Sequence, residues 1–129
     1  MRKRLLVVML SLSVLAVTAA VASAALTGTY KTTISGKTAA LNGKWQIKFA
    51  TGNKANVSRN GKVVIKTAVK VTGSKIKFTD SSGSYACTGA QKSGSYTFKV
   101  SGKKLTFKVV SDKCSGRKSV LTSKAFTKA

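Results

Sequence analysis

From Thr29 onward, apolar and polar residues alternate at period two in one short segment after another, and this feature restricts the chain to half-buried strands. Tyr30, Thr32 and Ile34 interleave with Thr29, Lys31 and Thr33, and Trp45, Ile47 and Phe49 with Lys44, Gln46 and Lys48. Val63, Ile65, Thr67, Val69 and Val71 interleave with Lys62, Lys66 and Lys70, and Ile76 and Phe78 with Lys75 and Lys77. The pattern resumes in Tyr96/Phe98/Val100 and Leu105/Phe107/Val109. Disorder would leave no such period. No apolar period of 3.6 residues runs far enough after residue 24 to predict a helix.

Glycines punctuate these segments. Asn42-Gly43 and Asn60-Gly61 predict type I′ hairpin turns, in which both central residues take positive φ. Ser35-Gly36, Gly73-Ser74, Ser93-Gly94 and Ser101-Gly102 are turn signals of the same kind. The strand segments are then 29–34, 44–50, 54–59, 62–72, 75–80, 84–88, 95–100, 104–110 and 118–126. Eight or nine short strands in up-and-down order expose a long edge unless they close. The predicted fold is therefore all-β, an antiparallel up-and-down β-barrel of about eight strands. A two-sheet sandwich is the alternative, and the short connections disfavour the Greek-key crossings it needs.

The first 24 residues read as a targeting device. Arg2, Lys3 and Arg4 form a positive n-region, an apolar run extends from Leu5 to Val21, and Ala22-Ser23-Ala24 is a small-x-small cleavage site. This predicts a signal peptide over residues 1–24, a barrel domain over residues 25–129, and export to the periplasm, cell envelope or exterior. A retained membrane anchor is the other reading, since the run lies at the lower limit for crossing a bilayer.

Composition bears on chemistry. The 129 residues hold 24 Lys+Arg, 2 Asp+Glu and no His, for a formal charge of +22. Asp80 and Asp112 are the only acidic side chains. General bases, metal ligands and activated nucleophiles each need an ionisable group held by another, so the sequence argues against an enzyme and predicts neither metal nor cofactor. Asp112 is expected to cap a turn or pair with Arg117. A catalytic Asp80/Asp112 pair would require the fold to bring the two together. Cys87 and Cys114, in an exported chain, predict a structural disulfide. Its alternative, a redox pair, ordinarily uses a Cys-x-x-Cys motif that is absent here.

Two stretches resemble a known family. Leu26-Thr27-Gly28-Thr29-Tyr30 is similar to the Gly-x-Trp opening of lipocalins and other calycin barrels, with Tyr30 in the aromatic place. Val110 to Arg117, containing Asp112-x-Cys114-x-x-Arg117 ahead of Ser119 to Thr122, resembles the closing section of small secreted bacterial lipocalin-like proteins. The resemblance implies an eight-stranded calycin-type barrel, closed at its floor by Tyr30 under Arg117. It also implies a binding role for the interior.

Two surfaces remain as functional candidates. The alternation directs Trp45, Phe49, Phe78, Phe98 and Phe107 inward, either as the lining of a site for a small apolar ligand or as plain core. A barrel of eight strands has room for one or the other, and short strands with bulky aromatics favour a mostly filled interior. Outward, Lys44, Lys48, Lys66, Lys70, Lys75 and Lys77 crowd within one Debye length of about 8 Å. They are candidates for contact with an anionic envelope polymer, a lipid surface or extracellular nucleic acid. Solvated charge that blunts strand edges and tolerates acid is the plain reading of the same lysines. Sequence-specific nucleic-acid recognition is disfavoured, because the aromatics point away from the lysines instead of forming a stacking platform with them.

Overall fold

Alternation along each strand gives a sheet with one apolar face, and that face is buried by curling the sheet onto itself. The computed structural model describes residues 26–129 and shows eight antiparallel strands in chain order. They are β1 (Gly28–Ile34), β2 (Gly43–Ala50), β3 (Lys54–Arg59), β4 (Lys62–Thr72), β5 (Lys75–Ser82), β6 (Ser93–Ser101), β7 (Lys104–Asp112) and β8 (Phe126–Lys128). Each pairs with the next, and β8 returns to β1 with Tyr30 opposite Lys128. The barrel is thus closed, which removes both sheet edges. An α-helix, α1 (Ser115–Leu121), interrupts the run between β7 and β8, and a single 3-10 turn (Gly89–Gln91) lies between β5 and β6. The expected signal peptide lies outside the described residues. Among the described residues, no helix is long and apolar enough to cross a membrane.

Connections alternate between the two ends. At the lower end they are tight, residues 51–53, 73–74 and 102–103. At the upper end three of four are long, residues 35–42, 83–92 and 113–125, the fourth being the turn at 60–61. Asn60 (φ 51°) and Gly61 (φ 83°) take the left-handed conformations expected of them. Asn42-Gly43 does not form a hairpin turn. The Asn42 side chain instead closes the 35–42 loop, accepting from the Lys37 amide at 2.8 Å and donating to the Lys37 carbonyl at 3.0 Å.

Two predicted strands differ from the structure. Residues 84–88 form no strand; they belong to a loop that crosses β4, tied by the Tyr85 amide to the Val64 carbonyl at 3.0 Å. Gly83 makes that crossing possible, since a β-carbon there would land on the Val64 carbonyl. Residues 118–126 are not one strand either. Arg117, Val120 and Leu121, spaced three and four apart, bury one face of α1, and only the last residue of the predicted span enters β8. Val63, expected inward, is 45% exposed because a bulge between Val57 and Ser58 reverses the facing of β4 beyond it.

The lower and middle interior is filled. Phe107 packs edge-on against Phe78, Tyr96 and Phe126 with ring centroids 5.9 to 6.3 Å apart, and Tyr30 packs edge-on against Phe49 at 6.0 Å. Trp45, Phe49, Phe78 and Phe107 are all buried as the alternation predicts, whereas Phe98 is half-buried against the core.

A disulfide joins Cys87 in the 83–92 loop to Cys114 just ahead of α1, with Cα atoms 6.2 Å apart. It staples the two long upper connections that carry no strand pairing of their own. Because it spans 27 residues, its loop-closure contribution is about 3.5 kcal/mol. Reduction, or paired substitution of both cysteines by Ser, is expected to lower unfolding free energy in denaturant titrations by roughly that amount. An unchanged midpoint would contradict this role for the staple.

Candidate functional site

The upper end of the barrel is organised by a buried ion cluster that a bulge makes possible. In β6–β7, Tyr96 lies opposite Val109 but Ser95 lies opposite Ser111, leaving Val110 as the extra residue. Without it, Ser111 would face inward; with it, Asp112 does. Gly94 lies opposite Asp112, and a β-carbon at 94 would collide with the carboxylate. Asp80 reaches the interior without help, two residues beyond inward-facing Phe78 and opposite Thr67.

Arg117, carried on α1, bridges the two carboxylates. Its Nε and Nη2 donate to Asp112 Oδ2 and Oδ1, both at 2.7 Å, a bidentate fork. Its Nη1 lies 3.1 Å from Asp80 Oδ2, and the guanidinium also donates to the Lys92 carbonyl at 3.1 Å and the Gln91 carbonyl at 2.9 Å. Asp80 Oδ2 accepts the Cys87 amide at 2.9 Å and Asp112 Oδ1 the Cys114 amide at 2.9 Å. Disulfide and ion cluster therefore form one closed circuit. Tyr96 donates its hydroxyl to Asp112 Oδ2.

Burial opposes the ionised Asp112 carboxylate, but hydrogen bonds from Arg117, Tyr96 and the Cys114 amide outweigh it and hold its pKa below the usual carboxylate range. Burial and the adjacent Asp112 push Tyr96 upward, so its hydroxyl stays neutral. Arg117, despite its burial, is held above its ordinary value by Asp112 and then Asp80. The expected pairing of Asp112 with Arg117 is thus present. The structure also brings Asp80 and Asp112 together, with a guanidinium between them. Tyr30 and Arg117 are not joined: Tyr30 stacks on Phe49, and Arg117's polar partners are those of the cluster.

Above the aromatic core and beneath α1 lies a cavity of about 230 Å³. Its walls are Trp45 and Phe78, Val57 and Ile65, Val120 and Leu121, with the disulfide on one side. Of the five aromatics expected to line a site, Trp45 and Phe78 do so. Phe49, Phe98 and Phe107 lie outside the lining. Trp45 donates its indole N–H to the Leu41 carbonyl at 2.8 Å, so its ring presents only an apolar surface. Asp80 and Thr67 are buried polar members of the wall.

Ala40 and Tyr85, both exposed, mark the mouth. Arg59 clamps it from both sides. It donates to the Ala39 carbonyl at 2.6 Å and the Asn42 carbonyl at 2.6 and 2.9 Å, and also to the Tyr85 hydroxyl at 3.1 Å. Nothing in the sequence singled out Arg59 or Tyr85, because their partners are loop residues distant in the chain. Asp80 was legible as an acidic residue at an inward position of β5.

Compared with known proteins, the chain matches no protein family, no curated protein and no solved structure. The site must therefore be understood from its own geometry. Lys44, Lys48, Lys66, Lys70, Lys75 and Lys77 are all exposed. Lys70 sits directly opposite Lys77, and Lys48 and Lys66 flank Asn56 across three strands. Among the described residues both ion pairs are internal, made by Arg117 with Asp80 and Asp112, so the exterior lysines have no acidic side chain beside them.

Since folding lowers the Asp112 pKa, its contribution is complete above the unfolded value near 3.9 and is lost as pH falls through the lower folded value. Stability is expected to stay level from neutrality to about pH 5 and to decline only below about pH 4. Asp112→Asn leaves Arg117 with a poorer partner and is expected to cost about 3 kcal/mol at pH 7 while reducing the acid decline. Denaturant titrations across pH check both; an unchanged acid decline in the variant would assign it elsewhere.

Proposed function

We propose that this protein is a non-catalytic, exported binding protein that takes a small apolar molecule into its barrel, a role in keeping with the lipocalin-like resemblance of its two ends. The observation that carries this reading is the cavity beside Trp45. An apolar cavity of about 150 Å³ holds one benzene molecule, so about 230 Å³ suits a substituted ring of roughly nine non-hydrogen atoms. Long-chain fatty acids exceed that volume. Packing density elsewhere in the barrel is what makes the void selective, since the edge-on aromatics below it leave no room for extension.

A second reading rests on the exterior. A shallow groove near the lower end is flanked by Lys54, Lys70 and Lys77, and Lys70 and Lys77 face each other without a counter-charge. Like charges opposite one another destabilise a sheet, and a polyanion such as an acidic envelope polymer, an anionic lipid surface or nucleic acid relieves that repulsion. The two readings use different surfaces and are compatible.

Titration of the purified protein at high salt with small aromatic hydrocarbons, followed by Trp45 emission, is expected to give saturable one-to-one binding. Absence of any response in the folded protein would overturn the cavity reading. Retention on immobilised polyanion is expected to fall linearly in log affinity with log salt, and the double variant Lys70→Gln/Lys77→Gln to shift that line. Salt-independent retention would exclude the second reading.

A further inference from the structure

The cavity wall is uneven in its polarity, and the unevenness specifies a ligand. Trp45's one polar atom is bound to Leu41, and the Arg117 donors face Asp112, Asp80, Gln91 and Lys92. Thr67 donates to the Ala68 carbonyl at 3.3 Å. Tyr85, at the mouth, accepts from Arg59 and keeps its own hydroxyl proton; deeper in the wall the side-chain polar capacity left is acceptor capacity. Asp80 supplies most of it. The residue is 3% exposed, yet among the described residues both of its contacts, the Cys87 amide and Arg117 Nη1, fall on Oδ2. Oδ1 has none; the Asp80 side chain is 1% exposed and lines the cavity, which places the little surface Oδ1 presents on that wall.

Charge narrows the choice of donor. Asp80 and Asp112 carry two negative charges, Arg117 one positive, and Tyr96 is neutral, so the cluster holds a net charge of −1 beneath the surface. Arg117 is committed to Asp112 by a bidentate fork and touches Asp80 through Nη1 alone. The unbalanced charge is that of Asp80. Trp45, Phe78 and Tyr85 line the same cavity, and aromatic faces attract cations.

We propose that the cavity selects a small primary amine, its protonated nitrogen donating to Asp80 Oδ1 and its apolar body lying against Trp45 and Phe78. This inference rests on the cavity reading above and specifies its ligand class. The exterior lysines do not forbid it, because their field is screened beyond about 8 Å at physiological salt. Their arrangement does predict slower entry of a cation at low salt than at high salt.

The test uses three near-isosteres on the purified wild-type protein: 2-phenylethylamine, 2-phenylethanol and propylbenzene, titrated by calorimetry with Trp45 emission in parallel at high salt. The amine is expected to bind about ten- to hundred-fold more tightly than propylbenzene, with the alcohol between, as befits a hydrogen bond to a buried charged acceptor. Equal affinity for all three would overturn the amine proposal and leave the apolar cavity intact. Binding of none would overturn both. Asp80→Asn is expected to bring the ratio of amine to propylbenzene affinity toward one, with near-ultraviolet circular dichroism reporting the fold. Should that variant not fold, the wild-type series decides alone.

Discussion

The two disulfide-linked connections at the upper end of this barrel hang on one buried guanidinium. Arg117 ties Asp112 at the end of β7 to Asp80 in β5, and each of those carboxylates holds the backbone amide of one half-cystine. Two long connections and a seven-residue helix, none of which would order itself alone, are thereby fixed over the barrel mouth. A purely apolar seal of the same size would be cheaper in desolvation. It would not leave α1 standing off the aromatic core with a void between.

That separation divides the barrel into two halves with different work. Below, edge-on rings fill the interior. Above, the same circumference is bounded by Val57, Ile65, Val120 and Leu121, whose smaller side chains do not meet across it. The choice between a filled and an open interior is thus decided separately in each half. Both of the chain's acidic side chains lie in the upper half, which leaves the lysine-covered exterior without internal counter-charge.

Much of this was legible in the sequence. Period-two alternation gave the strands β1, β2, β4 and β5 nearly residue for residue, and Asn60-Gly61 gave its turn, because both are properties of local backbone geometry. Asn42-Gly43 misled: the same dipeptide closes a loop by side-chain hydrogen bonds when eight residues separate the strands. Bulges were the principal loss. A single extra residue at Val110 inverts the facing of Asp112, and no pattern in a single strand announces it. The helix was hidden because seven residues are too few for a period, and the partners of Arg117 lie at separations of 5 to 37 positions. The expected closure set Arg117 over Tyr30; the tyrosine in its cluster is Tyr96, reached through Asp112.

An ordered void lies between Trp45, Phe78 and α1 in the folded protein. A crystal structure of the protein pressurised with xenon tests it most directly, because xenon enters apolar cavities without needing any polar partner. A single xenon site is expected there, walled by Trp45, Phe78, Val120 and Leu121, with the Arg117 cluster undisturbed. A Trp45 ring or an α1 collapsed into that space, with no xenon bound, would contradict it.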